Sequence, residues 1–541
     1  MAWHRRRTKA KTGDPVTANR DCKSDARRNG GQAEVFAFLA DPATHGGAPV
    51  RRIDTHSAAV FLAGDRAFKV KRAVRYPFLD FSTLAQRRAA CEAELEVNRA
   101  FAPALYLRVI GVTRERDGAL ALAGRGACVE WAVEMRRFDE AKTLDHLADA
   151  GAIDLALADR LARAVAASHG RVPVVEAASW IAALATYIDR NEAVFRASPE
   201  LFDAAQAAAL GGESRVVMDR LRPLLAARGE QGLVRRGHGD LHLGNVALID
   251  GAPVLFDAIE FSPLIAAGDV LYDLAFLLMD LVERDLGAAA NAVLNRYLAE
   301  TRRASDLDAL AALPFFMSLR AAIRANVTAA RAAIAASVGT GGGARDEARA
   351  AARKYFALAC RLIRPPPPVL VGIGGLSGTG KSQLARALAP GLGPAPGAVV
   401  LRTDVERKAL AGVGEGERLP AEAYTAESAT QVYASLAEKA RRIVAAGHAA
   451  VVDAVFAKAE ERNALSAVAR RSGVKFHGLF LTADMATRLA RIGARHGDAS
   501  DADEAVVRAQ ETYGLANIDW PTLDASGTPD DTLGRARRLV A

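Results

Sequence analysis

Downstream of residue 368 the chain alternates short apolar runs, Val369–Ile373, Val399–Leu401, Ala449–Val452 and Phe476–Leu481, with stretches of helical period. Such alternation predicts the strands of a parallel sheet joined by crossover helices. Upstream the pattern changes. Residues 34 to about 137 mix strand-like runs with one helix, whereas 140–235 and 265–335 are rich in Ala and Leu and follow the helical period. The prediction is a small mixed lobe, then a helical lobe, then an α/β unit.

Punctuation refines these limits. Pro365 to Pro368 form a stiff extended spacer just before the first apolar run. A softer segment, Gly339-Thr340-Gly341-Gly342-Gly343, lies before it, separated by the helical-looking stretch Arg345 to Leu362. The expected organisation is a disordered basic tail over 1–33, a first domain over 34–345 with lobes 34–137 and 138–345, a helix-and-proline linker over 346–368, and a second domain over 369–541. No internal repeat is present.

A length of 541 residues suggests two to four domains at about 100–200 residues each. No run of about 18 apolar residues occurs, so no membrane span is expected. Cys22, Cys91, Cys128 and Cys360 are scattered without a C-x-x-C pair, which argues against a structural zinc site or a disulfide framework and for a reducing cytoplasm. The net charge of +8 invites a nucleic-acid reading, but residues 1–30 hold nine Lys/Arg against three Asp. The body is therefore nearly neutral, which disfavours a nucleic-acid partner. Oligomeric state is not legible.

Candidate chemistry begins at Gly375-Leu376-Ser377-Gly378-Thr379-Gly380-Lys381-Ser382, a complete phosphate-binding loop between a predicted strand and helix. Its glycines let backbone N–H groups turn toward phosphates, Lys381 reaches the β and γ oxygens, and Ser382 offers a hydroxyl to Mg²⁺. The helix that follows points its N-terminus at the anion. The sequence thus predicts ATP and Mg²⁺ as cofactors, with Gly375, Ser377, Gly378, Thr379, Gly380, Lys381 and Ser382 binding nucleotide and Lys381 also catalytic.

A second signature lies upstream. His238-Gly239-Asp240-Leu241-His242-Leu243-Gly244-Asn245 resembles the catalytic loop of the aminoglycoside phosphotransferase and choline kinase superfamily. The resemblance implies that Asp240 orients an acceptor hydroxyl, that Asn245 holds a metal, and that Asp257, reached through the hairpin turn Asp250-Gly251, holds Mg²⁺ with it. Phe256 to Phe261 and Gly268-Asp269 to Ala275 look like the metal-binding and supporting segments. An ATP-handling lysine is expected on a small-lobe strand, paired with a Glu of the next helix. Alternation puts Lys69 and Lys71 on one face; Lys69 is chosen, with Lys71 as the alternative, and Glu94 as partner. Val133 to Phe138 would form the adenine-side hinge. His238 is expected to brace the loop, His169 to be a packed or surface residue, and Asp269 and Asp273 to support the loop or cap a helix.

In the α/β unit, Arg402-Thr403-Asp404 resembles the acceptor side of gluconate and shikimate kinases. The resemblance makes Arg402 and Asp404 substrate-binding and Asp404 catalytic. Asp453 fits a Walker B carboxylate holding Mg²⁺, and Arg488, Arg491 and Arg495 look like a lid over the transferring phosphoryl group. Asp524 to Thr528 is placed like an adenine-side loop. With Phe78 to Ser82 and Asn98-Arg99, the whole arrangement is similar to bacterial bifunctional fusions of an aminoglycoside phosphotransferase with a P-loop ATP-binding unit. The fold expected is an α+β protein-kinase-like domain followed by an α/β P-loop NTPase domain with a parallel sheet. The function expected is a tandem ATP-dependent transfer of the γ-phosphoryl group to hydroxyls of small molecules. The alternatives are a regulatory ATPase or a polynucleotide-end kinase in the second domain.

Overall fold

The computed structural model describes residues 30–55, 57–76, 79–338, 342–420, 423–494, 499–513, 515 and 518–540. Most of the basic tail, Phe78 and Arg495 lie outside the described residues. The chain forms two compact units, one ending at Asp139 and the other starting at Glu140.

The first unit is built on strands β1 (Val50–Asp54), β2 (Ala58–Ala63), β3 (Arg66–Lys71), β4 (Arg75–Tyr76), β5 (Leu79–Asp80), β6 (Tyr106–Arg114), β7 (Leu120–Leu122) and β8 (Ala127–Arg136). Six of them make an antiparallel sheet in the order β1-β2-β3-β8-β6-β7, while β4 and β5 form a separate ribbon. Phe61, Phe68, Val70, Ile110, Val112 and Ala132 bury one face against Val35 and Leu39 of the helix Gly30–Ala40. That helix begins within the segment read as tail. The reason is Gln32, whose amide donates to the Glu130 carboxylate at 2.7 Å and to the Lys71 carbonyl at 2.9 Å, so buried polar groups of the sheet depend on it. The helix Leu84–Arg99 starts at a capping box, with Thr83 accepting from the Gln86 amide and Gln86 from the Thr83 amide.

In the second unit, Val270 to Leu281 are buried on all sides, which makes the helix Val270–Glu283 the core element of the helical segment. Around it lie the helices Gly287–Thr301, Leu313–Val338 and Gly342–Leu362, while the helix Ala204–Glu230 packs on the helix Ala177–Ala197. The sequence assigns most of the helix Gly342–Leu362 to the linker over 346–368. It is instead core: the Phe356 ring packs edge-on to Phe195 and tilted against Phe202, with centroids 4.9 and 5.1 Å away, and Ser318 donates to the Ala359 carbonyl at 2.8 Å. Two small antiparallel pairs, β9 (Val234–Arg236) with β12 (Ala267–Asp269) and β10 (Val246–Ile249) with β11 (Ala252–Leu255), carry the upstream signature between them.

The α/β segment of the same unit is a five-stranded sheet of β13 (Val369–Gly375), β14 (Val399–Arg402), β15 (Ala450–Asp453), β16 (Lys475–Thr482) and β17 (Thr522–Asp524). Its order is β14-β15-β13-β16-β17 and every pair is parallel. All four apolar runs are strands, as the alternation predicts; β17 went unread because only Leu523 of its three residues is apolar. Gly372 and Gly478 are register partners beneath the Trp520 ring, and a Cβ on Gly478 would come within 2.3 Å of it. Among the described residues no helix is long and apolar enough to cross a membrane.

Candidate active sites

β13 ends in the phosphate loop, and the helix Lys381–Leu388 starts directly after it. Gly375, Gly378 and Gly380 have φ of 140°, 86° and 93°. A side chain at 378 would also meet the Arg488 backbone at 2.7–2.9 Å, so the loop path requires glycine there. Lys381 Nζ donates to the Leu376 carbonyl at 2.9 Å, folding the ammonium back over the loop. Ser382 Oγ donates to Asp453 Oδ2 at 2.5 Å, and Arg402 Nε donates to the same oxygen at 3.3 Å. Sheet register explains the meeting: Asp453 is the partner of Ile373 on β13 and of Arg402 on β14.

Asp404 opens the helix Thr403–Leu410, two residues past the end of β14. Burial raises its carboxyl above the ordinary range and the nearby Asp453 charge adds to this, against Arg402, Ser500 and Lys381. The structure thus collects the loop, Arg402, Asp404 and Asp453 at one end of the sheet. Arg488 and Arg491 lie on the helix Met485–Gly493 and reach the loop from its outer side. Arg488 is buried; its Nε donates to the Ser377 carbonyl at 2.8 Å and its guanidinium pairs with Glu511. Arg491 donates to the Ala525 carbonyl at 2.7 Å and the Thr379 carbonyl at 3.4 Å. Both arginines therefore hold loop backbone. Gln510, which nothing in the sequence singled out, accepts the Ser377 amide at 2.7 Å.

The upstream loop is held from behind. His238 N–H and Gly239 N–H donate to the Asp273 carboxylate at 2.8 and 2.9 Å, and His169 Nε2 lies 3.2 Å from it. His238 Nε2 lies 2.9 Å from the Phe256 carbonyl, and burial lowers the imidazole pKa, so Nε2 carries the proton and donates. Asp269 caps the helix Val270–Glu283 and pairs with the buried Arg228. On the front, Asn245 Nδ2 donates to the Asp240 carbonyl at 2.9 Å and to Asp240 Oδ2 at 3.2 Å. His242 accepts the Gly244 amide on Nδ1, leaving Nε2–H toward Asp240 at 3.4 Å. Although burial opposes it, the His242 contact leads a net lowering of the Asp240 pKa, so the carboxylate is ionised. The β10-β11 hairpin pairs Val246 with Leu255, and Phe256 N–H donates to the Asn245 carbonyl at 2.9 Å. This brings Asn245 beside the segment of Asp257, a non-glycine residue at φ 61°. Such a backbone is costly and is often retained for function.

In the first unit, Glu94 lies fully buried between two ammonium groups, Lys69 Nζ at 2.7 Å and Lys71 Nζ at 2.5 Å. Burial alone would push this carboxyl up; the two lysines more than offset it and hold Glu94 ionised. The side chain of Lys69 keeps 15% exposure against 3% for Lys71, so Lys69 is the more accessible of the two.

Two family models match. Residues 57–313 match one described as "Phosphotransferase enzyme family", and residues 370–513 match one described as "AAA domain". The chain is thus a two-domain fusion whose chemistry, at the level of these families, is kinase-type phosphoryl transfer. Uncharacterized proteins of Mycobacterium tuberculosis and Mycobacterium bovis are 30% identical to it over 511 residues, covering 90% of this chain and 94% of theirs. The chain belongs to the family of these mycobacterial proteins. Among solved structures, it is similar to a choline/ethanolamine kinase family protein from Mesorhizobium loti, with 15% identity, 62% of this chain, 99% of that one and a TM-score of 0.35. It is also similar to the Mycobacterium tuberculosis APS kinase CysC in complex with AMPPNP and APS, with 21% identity, 32% of this chain, 98% of that one and a TM-score of 0.25.

Proposed function

We propose that the chain is a tandem phosphotransferase that uses Mg·ATP at two sites and moves the γ-phosphoryl group to hydroxyls of small molecules. The observation that carries this reading is the convergence of Ser382 and Arg402 on one Asp453 oxygen beside the complete phosphate loop. The oxygen donors Ser382 and Asp453 downstream, and Asn245 and Asp257 upstream, suit a hard cation that keeps phosphate and water among its ligands. Bound Mg²⁺ would neutralise phosphate charge and fix the phosphate geometry.

The protein's own residues do the rest. Lys381 leaves the Leu376 carbonyl for the phosphate oxygens. Asp404, its pKa raised toward the working range, accepts the proton of the acceptor hydroxyl. In the upstream domain Asp240 stays ionised and orients its acceptor, while Lys69, held by Glu94, serves the nucleotide phosphates.

The test is incubation of the full chain with ATP and a metabolite extract, followed by mass spectrometry for acceptors heavier by one phosphoryl group. Products lost with Lys381→Ala or with Asp240→Asn would assign an acceptor to each site. ATP loss without any phosphorylated acceptor would instead make the P-loop unit a regulatory ATPase.

A further inference from the structure

β14 is the edge strand of the P-loop sheet, and it delivers Arg402 and Asp404. An edge strand presents a free row of N–H and C=O groups that natural proteins cover or pair. Along β14 the Val399 amide turns inward, to the Ala449 carbonyl at 2.9 Å. Alternation therefore turns the Ala398 carbonyl and the Val400 amide outward, the pair that a further strand would engage.

That pair is taken by side chains of the helical segment. Val400 N–H donates to Asn295 Oδ1 at 2.7 Å, and Asn295 Nδ2 donates to the Ala398 carbonyl at 3.2 Å. One carboxamide thus offers an acceptor and a donor in the order that a peptide unit of a sixth strand would. Asn291, one turn earlier on the helix Gly287–Thr301, is buried and adds a second donor to the Ala398 carbonyl at 3.0 Å. The Asn295 amide is itself fixed by the Asn291 carbonyl at 3.0 Å. Ion pairs flank the contact: Arg296 with Glu415 at 2.9 Å, and Arg442 with Asp308 through both oxygens at 3.0 and 2.8 Å.

We propose that Asn295, supported by Asn291, is a positioning residue of the downstream site: it replaces a missing strand on β14 and so fixes Arg402 against Asp453 and Asp404 at the acceptor side. The upstream domain is then a structural part of the downstream enzyme. The proposal rests on the reading of Arg402, Asp404 and Asp453 given above. Its path is short. Val400 is two residues from Arg402, and Arg402 shares with Ser382 the Asp453 oxygen expected to serve the cation.

The test uses the full chain. Calorimetric ATP titrations are run with Mg²⁺ and with EDTA, and the Lys381-dependent part is isolated by subtracting the Lys381→Ala chain. Hydrogen exchange is followed on the peptide containing Val400. Asn295→Ala removes both of its bonds to β14; it should speed exchange at Val400 at least tenfold and cut the Mg²⁺-dependent gain in ATP affinity about threefold to tenfold, the factor expected for about 1 kcal/mol of lost hydrogen bonding. Affinity in EDTA should stay unchanged, a selectivity that general destabilisation would not produce. Asn295→Asp keeps the acceptor for Val400 but repels the Ala398 carbonyl, so it should retain Val400 protection while still lowering the Mg²⁺-dependent gain. Fast exchange at Val400 in the parent chain, or an unchanged Mg²⁺-dependent gain in Asn295→Ala, overturns the proposal. Failure of the underlying reading shows differently: Asp404→Asn would leave phosphoryl transfer intact whatever Asn295 does.

Discussion

Replacing Asp273 by Asn tests whether the upstream catalytic loop is shaped by a charge behind it. Asp273 is 3% exposed, and its carboxylate accepts from His238 N–H, Gly239 N–H and His169. Burial pushes its pKa up, but His169, His238 and Arg320 reverse this and bring it down to about 2 from 3.8. At 1.36 kcal/mol per unit, the ionised form contributes about 2–3 kcal/mol to stability. An amide in its place turns an NH₂ toward at least one of the backbone donors and leaves that donor unpaired, at about 1–3 kcal/mol more. The expected loss is therefore about 3–6 kcal/mol, which overlaps the range of about 3–5 kcal/mol for breaking a buried charged contact.

Urea unfolding followed by tryptophan fluorescence reads this loss well, because Trp180 packs on Tyr272 at 5.7 Å, next to Asp273. The sign of the pH dependence is fixed by the lowered pKa. The contribution is complete above 3.8 and disappears only as pH falls through about 2, so the difference between the two chains should stay flat from pH 5 to 8. Upstream turnover should fall about 10²-fold, as expected for a displaced catalytic group, with little change in ATP affinity. A loss under about 1 kcal/mol with upstream turnover intact would refute the argument. A difference that decays between pH 5 and 8 would refute it as well.

Four other outcomes follow from the same contacts. Asp240→Asn should lower upstream transfer by orders of magnitude while leaving Mg·ATP binding nearly unchanged, whereas Asp257→Asn should weaken binding as well; calorimetry on the full chain carrying Lys381→Ala separates the two. Gly378→Ala, at φ 86° and 2.7–2.9 Å from the Arg488 backbone, should abolish downstream nucleotide binding, and a normal ATP titration would show that the loop tolerates a side chain. The downstream pH–rate profile should have its acidic limb above the ordinary carboxylate range, because burial and Asp453 raise Asp404; a limb at the ordinary position would remove Asp404 as base. His448 is fully buried, donates to the Gly397 carbonyl and is lowered by burial to about 4 from 6.5; its stabilising effect is complete above 6.5 and falls by about 3 kcal/mol as pH drops to 4, and His448→Gln should flatten that slope in unfolding scans.

What was legible in the sequence was whatever local chemistry forces. The phosphate loop needs glycines at fixed places because of its φ values, and the apolar runs of the α/β unit announce buried parallel strands. Lys69 and Lys71 were placed on one face by alternation, and their common partner is Glu94. Contacts made by a single polar residue with distant backbone left no such trace. Gln510 accepts one amide of the loop 133 residues away, and a lone Gln carries no period or spacing. The helix Gly342–Leu362 was misread for a related reason: a glycine run and four prolines mark where the chain can bend, but Phe356 and Ala359 are buried by neighbours far upstream.

The proline run illustrates how a covalent boundary and an energetic one come apart. Sequence punctuation between about 338 and 368, a glycine run and four prolines with few core-forming side chains, predicts two pieces that fold separately after cleavage. The contacts across that point run instead through Asn291, Asn295, Arg296 and Asp308, all upstream, to Ala398, Val400, Glu415 and Arg442, all downstream. They are polar and include backbone groups of an edge strand, which would be left exposed rather than paired if the pieces parted. Cleavage at the prolines in the folded chain should therefore leave the two fragments associated through size-exclusion chromatography. A residue 369–541 fragment made alone should show faster exchange at Val400 than the same strand in the full chain. Co-elution lost at moderate salt, with Val400 exchange unchanged, would mean that the ion pairs alone hold the segments and that the strand edge needs no cover.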